Sequence, residues 1–267
     1  MNSDFIQEEL KAISPEIQCH YFEKIDSTNS YAYFLGQNNH PNWSIVIAEE
    51  QEKGKGRLDR KWESKSGKGL WFSILLRKSI EPRKIQAVSL IFGELIRESI
   101  QTHLREKYGI QNLSINTKWP NDIYVNQKKM CGILLQGAIT NNLYNFIVGG
   151  IGINVNHQSS DFSEEVKNIA TSLYLETGKI INREELLIHI IQHIYSRWPQ
   201  HEDNLKEILD EWKNHALFIG KKIQINHYDK IIEGVFKDIN EYGHLILEQN
   251  HGSVQILTGD LMNGDSK

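Results

Sequence analysis

Between Glu49 and Trp62 the chain reads E-E-Q-E-K-G-K-G-R-L-D-R-K-W, which gathers Lys53, Lys55, Arg57, Arg60 and Lys61 around Gly54 and Gly56. A guanidinium offers two parallel N–H groups to a phosphate or a carboxylate, so Arg57 and Arg60 are the natural grips for an anion. Gly54 and Gly56 let the backbone adopt dihedrals closed to other residues and approach a ligand closely. The apolar run at 44–48 reads as a strand, which puts the cations on the loop that leaves it. The spacing lacks the G-K-[ST] ending of a Walker A loop, and no third glycine opens a helix as in a dinucleotide fingerprint. A solvated lysine patch or a weak nucleic-acid contact would have the same composition.

Two further stretches have chemical content. K-W-P-N-D at 118–122 interrupts an extended run, and a proline inside a strand calls for a bulge or an edge. Downstream, G-G-I-G-I-N-V-N at 149–156 has three glycines in four residues, too few side chains to pack, so something else should occupy that space. Gly132, inside the expected returning strand 129–138, also suggests close approach by a ligand or another backbone. Upstream, Ser27 and Thr28 precede Tyr31, Phe34 and Leu35 in the manner of a helix N-cap, whose free N–H groups receive anions. His189 and His193 stand at i, i+4, but no glutamate follows His189 as in H-E-x-x-H, and both helices of the region read as scaffold.

The elements that must hold these residues follow from length and pattern. At 267 residues the chain can bury a large core, as one large domain or one plus a small one. Its 30 basic and 34 acidic residues give a net charge of -4, which argues against a general nucleic-acid binder. Cys19 and Cys131 are far apart and read as reduced thiols, no signal peptide opens the chain, and the apolar runs are too short to span a bilayer; a cytoplasmic protein is expected. Residues 1–20 read as an amphipathic lead-in broken at Pro15. Strands are expected at 44–48, 69–76, 123–125, 129–138 and 143–156, with a turn at Gln127-Lys128. A helix is expected from about Arg83 to Lys107, started by Pro82 and stopped by Gly109. Helical periodicity returns at 182–199 and 204–215. After Gly220, short alternating runs at 222–226, 231–236, 244–247 and 253–257 have the pattern of a small antiparallel barrel. A boundary near 217–220 divides the chain into 1–217 and 218–267.

The order of the cationic glycine loop, Lys-Trp-Pro-Asn-Asp and Gly-Ile-Gly-Ile-Asn, with Ser27-Thr28-Asn29 upstream, closely resembles the biotin protein ligase family from about residue 20 to the end. The resemblance implies an α+β fold: a mixed β-sheet with packed helices, of the class II synthetase and biotin ligase type, followed by an SH3-like barrel. It implies an ATP- and Mg²⁺-dependent ligase that forms biotinyl-5′-AMP and then transfers biotin to a specific lysine of a biotin carboxyl carrier domain. Matched position by position, Ser27, Thr28, Asn29, Gln51, Gly54, Lys55, Gly56, Arg57, Lys118 and Gly132 fall on the biotin side. Arg57, Arg60, Trp62, Lys118 and Asn154 fall on the nucleotide side, with Lys118 and Arg57 as the catalytic cations. Metal ligands are not assigned.

Two departures accompany the resemblance. Lys55 stands where the family usually shows Arg, keeping the charge without the fork, and Leu58-Asp59 replace residues such as Arg-Gly, removing a flexible position and adding a negative charge. Only about 20 residues precede the first matched segment, so a monofunctional ligase that binds no DNA is expected; monomer and homodimer both stay open. The rival readings are a lipoate ligase or octanoyltransferase, a non-catalytic anion- or RNA-binding module, and a biotin sensor without turnover.

Overall fold

The computed structural model describes residues 1–202, 205–228 and 230–262, with the backbone alone at 199–202. Asn204, where the last helix was expected to begin, and 263–267 of the terminal barrel lie outside the described residues.

Helix α1 (Ser3–Ile13) buries Ile6 and Leu10 and is capped by the Asn2 side chain. Strand β1 then begins at Gln18 and runs to Ile25, which corrects the expected lead-in to residue 20; its burial does not alternate, so no period-two signal marked it. Ser27 caps helix α2 (Thr28–Gln37) by accepting from Ser30 N–H. Strands β2 (Ser44–Gln51) and β3 (Gly69–Leu76) flank the cationic loop, and β3 is buried along its whole length. Pro82 opens a single 3-10 turn, Pro82–Lys84, so helix α3 spans Ile85–Tyr108 instead of starting at Arg83. Gly109 ends it at φ 67°.

Strands β4 (Ile115–Lys118) and β5 (Asp122–Val125) form a hairpin that turns through a cis Trp119–Pro120 peptide. The next turn is Asn126-Gln127, one residue earlier than expected, both with the positive φ that a two-residue type I′ turn requires. Strand β6 (Lys128–Thr140) follows, and Asn141-Asn142 make a second such turn into β7 (Leu143–Asn154). Helices α4 (Leu173–Thr177), α5 (Arg183–Glu202) and α6 (Leu205–His215) complete this part of the chain.

The seven strands lie in the order β1-β2-β3-β7-β6-β5-β4, parallel only between β1 and β2. One face packs on α1, α3 and α5 in the main core; the other meets α2 through Ala32, Leu35, Val46, Leu75, Phe146 and Val148. A second sheet, antiparallel throughout, follows: β8 (Lys222–His227), β9 (Lys230–Ile239), β10 (Leu245–Gln249), β11 (Gly252–Ile256) and β12 (Asp260–Met262). Its order is β11-β10-β9-β8-β12, as in an SH3-like barrel. Strand β12 is additional to the expected runs, being too short to show periodicity. The barrel residues Ile223, Phe236 and Leu245 share a core with Ala87 and Leu90 of α3, Trp119, and Leu209 and Trp212 of α6. No helix among the described residues is long and apolar enough to cross a membrane.

Candidate active site

Alternate residues of a strand face the same side, so Phe146, Val148, Gly150, Gly152 and Asn154 of β7 form one row. Phe146 and Val148 pack beneath α2; where the row leaves the helix, side chains stop. A Cβ on Gly150 would lie 2.3 Å from Asn29 Nδ2, and one on Gly152 would lie 2.5 Å from Trp62 Nε1. Gly132 pairs with Gly152 across β6 and would also strike Trp62, at 2.7 Å. The space left by the glycines is thus partly filled from above by Asn29 and Trp62, and a cavity of about 300 Å³ opens beside them.

The polar end of the cavity is a closed hydrogen-bond set. Thr28 donates to Gln51 Oε1 from its N–H at 2.8 Å and from its hydroxyl at 3.1 Å, while Gln51 Nε2 donates to Ser64 Oγ at 2.9 Å. Ser73 Oγ donates to Thr28 Oγ1 at 2.9 Å, and Asn29 Nδ2 to the Leu134 carbonyl at 3.1 Å. Asn29 Oδ1 is buried with no partner among the described residues. Gln51 therefore shapes this end by orienting Thr28, its own amide being engaged on both sides.

Opposite lies the cationic wall. Lys118, the last residue of β4, is only 7% exposed, and its ammonium lies 3.2 Å from Tyr124 Oη. Burial lowers its pKa, with Asp122 and Asp260 working the other way and Lys129 with it. Lys129 pairs with Asp122 at 2.8 Å and stands 5.1 Å from the Trp62 ring centre. Arg57 donates to Asn121 Oδ1 at 3.2 Å, to Thr258 Oγ1 at 3.2 Å and to the Gly259 carbonyl at 3.1 Å.

The cationic loop is a miniature hairpin. Lys55 and Lys61 bridge, Gly56 N–H donates to Arg60 O at 2.7 Å, and Trp62 N–H donates to Gly54 O at 2.9 Å. Leu58 and Asp59 form its tip at φ 52° and 56°, a conformation that Asn or Gly accepts and Leu resists. Asp260 of β12 pairs with Arg60 and stands 3.6 Å from Arg57, so the barrel clasps the hairpin. Gly54 differs from its neighbours: it does not line the cavity, and a Cβ there would lie 2.4 Å from Trp62 O, so it serves the closure of the hairpin.

At the far end, Trp62 lies over the glycines and Asn154 donates to Thr171 O at 3.0 Å. His157 stacks on Phe162 with ring centres 5.2 Å apart, and burial brings its pKa down to about 4, so the ring is neutral at pH 7. Ser27, Thr28, Asn29, Gln51, Lys55, Gly56, Arg57, Arg60, Trp62, Lys118, Gly132 and Asn154 all line the one cavity. Sequence reasoning missed Tyr124, Lys129 with Asp122, His157 and Asp260. Asp122 and Tyr124 adjoin a motif and were within reach; Asp260 is 200 residues from Arg60 and had no local signal. Among the described residues, no three His, Cys, Asp or Glu side chains come together as a metal site. His193 instead bonds Glu98 at 3.0 Å.

Residues 21–154 match the Biotin/lipoate A/B protein ligase family, and residues 218–261 match the biotin protein ligase C terminal domain. The Bifunctional ligase/repressor BirA of Bacillus subtilis is 34% identical over 245 residues, 91% of this chain and 73% of that protein. A Biotin--[acetyl-CoA-carboxylase] ligase of Paracoccus denitrificans is 26% identical over 90% of this chain and 98% of its own. Among solved structures, the biotin protein ligase from Aquifex aeolicus in complex with biotin and ATP superposes with a TM-score of 0.75. It is 29% identical and covers 92% of this chain and 97% of its own.

Proposed function

The chain belongs to the biotin/lipoate A/B protein ligase family, and from that premise we propose how its residues divide the work of biotin activation and transfer. It is a biotin protein ligase: ATP activates biotin as biotinyl-5′-AMP, and the acyl group passes to a carboxylase. The observation behind the division of labour is that Lys118 and Arg57 line the same cavity as the polar end at 27–29 and the Trp62 cover.

In this reading the ring system of biotin lies at Ser27, Thr28 and Asn29, over Gly150 and Gly132, with its carboxylate toward Lys118. The nucleotide lies beneath Trp62 toward Asn154, with Arg57 and Arg60 on its phosphates. A carboxylate oxygen attacks the α-phosphorus; the new P–O bond forms as the bond to pyrophosphate breaks. Two anions repel on approach, and fixed cations offset that repulsion without reorganising. Lys118 bridges carboxylate and α-phosphate as a compact charge, and Arg57 adds the planar fork. The carrier lysine then attacks the acyl carbon as a neutral amine, the C–O bond to AMP breaks, and a proton leaves the nitrogen. Until then the hairpin at 54–62 keeps water from the mixed anhydride.

Magnesium enters as part of the nucleotide. Asp122, Asp161 and Asp260 beside the cavity are engaged by Lys129, Lys68 and the loop arginines, so phosphate and water oxygens would hold the ion. We assign 1–217 to adenylation and transfer and 218–262 to a barrel that closes the nucleotide site through Asp260. The acceptor is the lysine of a biotin carboxyl carrier domain, and the unpaired Cys19 and Cys131 suit a cytoplasmic enzyme.

Pyrophosphate release from MgATP, measured with biotin, lipoate or octanoate in wild type and Lys118→Ala, tests this reading. Release that needs biotin and collapses in the variant is expected. Release with lipoate in place of biotin would overturn the substrate, and undiminished release in Lys118→Ala would overturn the role of the lysine.

A further inference from the structure

The loop that joins β2 to β3, residues 52–68, carries the hairpin, and both of its ends meet one buried ion pair. Glu49, two residues before Gln51, is 4% exposed. Arg183 grips it with both arms of the guanidinium, Nη1 donating to Oε2 at 3.0 Å and Nη2 to Oε1 at 3.2 Å, and Nη1 also donates to the Gly69 carbonyl at 3.0 Å. From the far end of the loop, Gly67 N–H donates to Glu49 Oε2 at 3.2 Å. Burial opposes the charge on Glu49, but Arg183 and the Met1 amino group bring its pKa down to about 2, so the pair is ionised at neutral pH.

Arg183 is the first residue of α5, where the helix dipole disfavours a cation. The cap itself is made by Asn182, whose Oδ1 accepts from Glu184 and Glu185 N–H at 3.1 and 3.3 Å, so the guanidinium is free to serve Glu49. The residue before the cap reaches the nucleotide end. Ile181 N–H donates to Asn156 Oδ1 at 3.0 Å, Asn156 Nδ2 donates back to Ile181 O at 2.8 Å, and Asn156 N–H donates to Lys68 O at 2.7 Å. Asn156 lies two residues beyond Asn154. Residues 181–183 thus tie the base of the loop to the end of β7. Neither Glu49 nor Arg183 lines the cavity.

We propose that Glu49 and Arg183 are positioning residues that fix the base of the loop, so that the hairpin closes over biotinyl-5′-AMP in one place and keeps water out. The proposal rests on the reading of the hairpin as the cover of the mixed anhydride. A buried ion pair gains little stability over apolar residues of the same volume, so the geometry it imposes is its contribution here. With the base loosened, water reaches the acyl carbon. Its oxygen bonds there as the C–O bond to AMP breaks, giving biotin and AMP with the protons released to solvent, and ATP is consumed without transfer.

The test is AMP formation from biotin and MgATP, with and without a biotin carboxyl carrier domain. The proteins are wild type, Arg183→Lys, Arg183→Gln, the double variant Glu49→Gln with Arg183→Gln, and Asp260→Asn, with thermal melts alongside. The rate without carrier divided by the rate with it measures loss of the intermediate to water. That ratio should rise roughly tenfold in Arg183→Gln and about threefold in Arg183→Lys, which keeps the charge and loses the fork. The double variant leaves no carboxylate without its guanidinium, so it should melt closer to wild type than Arg183→Gln while its ratio stays raised. Should Arg183→Gln fail to fold, Arg183→Lys and the double variant decide. Asp260→Asn loosens the hairpin at its clasp with the base intact and should raise the ratio as well. If it does so while the folded Arg183 variants lose both rates in equal proportion, the pair is purely structural, and the proposal falls with its premise intact. An unmoved ratio in Asp260→Asn would overturn the premise, and the proposal with it.

Discussion

The two central cations of the cavity are built in opposite ways. Lys118 ends a buried strand, is nearly inaccessible, and is bounded by aromatic rings; its place is set by the sheet. Arg57 sits on a hairpin beside the tip residues Leu58-Asp59, and its place is set by bonds to Asn121, Thr258 and Gly259, two of them from the barrel. A group that meets charge at the moment of bond making gains from a frame that does not move. A group that must admit a substrate and then cover it gains from contacts that can be exchanged. The difference separates what preorganises the reaction from what opens and closes over it.

Exchanging the two residue types puts most stress on that contrast. Lys118→Arg keeps the charge but places a planar fork in a cage shaped for an ammonium, and adenylation should fall about 10³-fold, as when a charge-stabilising donor is lost outright. Arg57→Lys should cost only about tenfold, because the hairpin can readjust around a shorter cation. Single-turnover adenylate formation measures both; equal losses would erase the distinction. Gly152→Ala touches the rigid side through its cover: the new Cβ lies 2.5 Å from Trp62 Nε1, and the KM for ATP should rise by roughly an order of magnitude with the KM for biotin much less affected. Asp260→Asn loosens the clasp on the hairpin. Trypsin should then cut faster at Arg57 or Arg60 in the ligand-free protein, and adenylation should slow about threefold, as expected for ion pairs that keep partial access to solvent. The smallest effect is expected at the tip. Leu58→Asn relieves an unfavourable φ and should stabilise the fold by about 1 kcal/mol, read as a Tm rise of roughly 2 °C. A fall in Tm would show that exposed Leu58 contributes more by contact than it costs in backbone.

Much of the site was legible because its chemistry is local. Gly150 and Gly152 announce a gap, the cations cluster within one loop, and Pro120 marks a break in an extended run, which the structure makes a hairpin turn where a bulge or an edge was expected. The fold was legible where a helical period or a continuous apolar run dominates, as in α3 and β3. Strand β1 escaped because both its faces are half covered, and β12 because three residues carry no period. The clasp of Asp260 on Arg57 and Arg60 and the approach of Phe218 to Lys118 depend on how the second sheet docks. Nothing near either residue in the chain encodes that distance.

The core shared by the two sheets governs how the molecule comes apart. Ala87, Leu90, Trp119 and Trp212 are buried against the barrel, and Trp119 Nε1 donates to Gly243 O at 3.0 Å. Peeling the barrel away would wet this apolar face and strand the indole N–H, so neither region has a low-cost intermediate in which the other persists. Heating should therefore give one cooperative heat-absorption peak, with calorimetric and van't Hoff enthalpies in agreement, where the two sheets alone would suggest two.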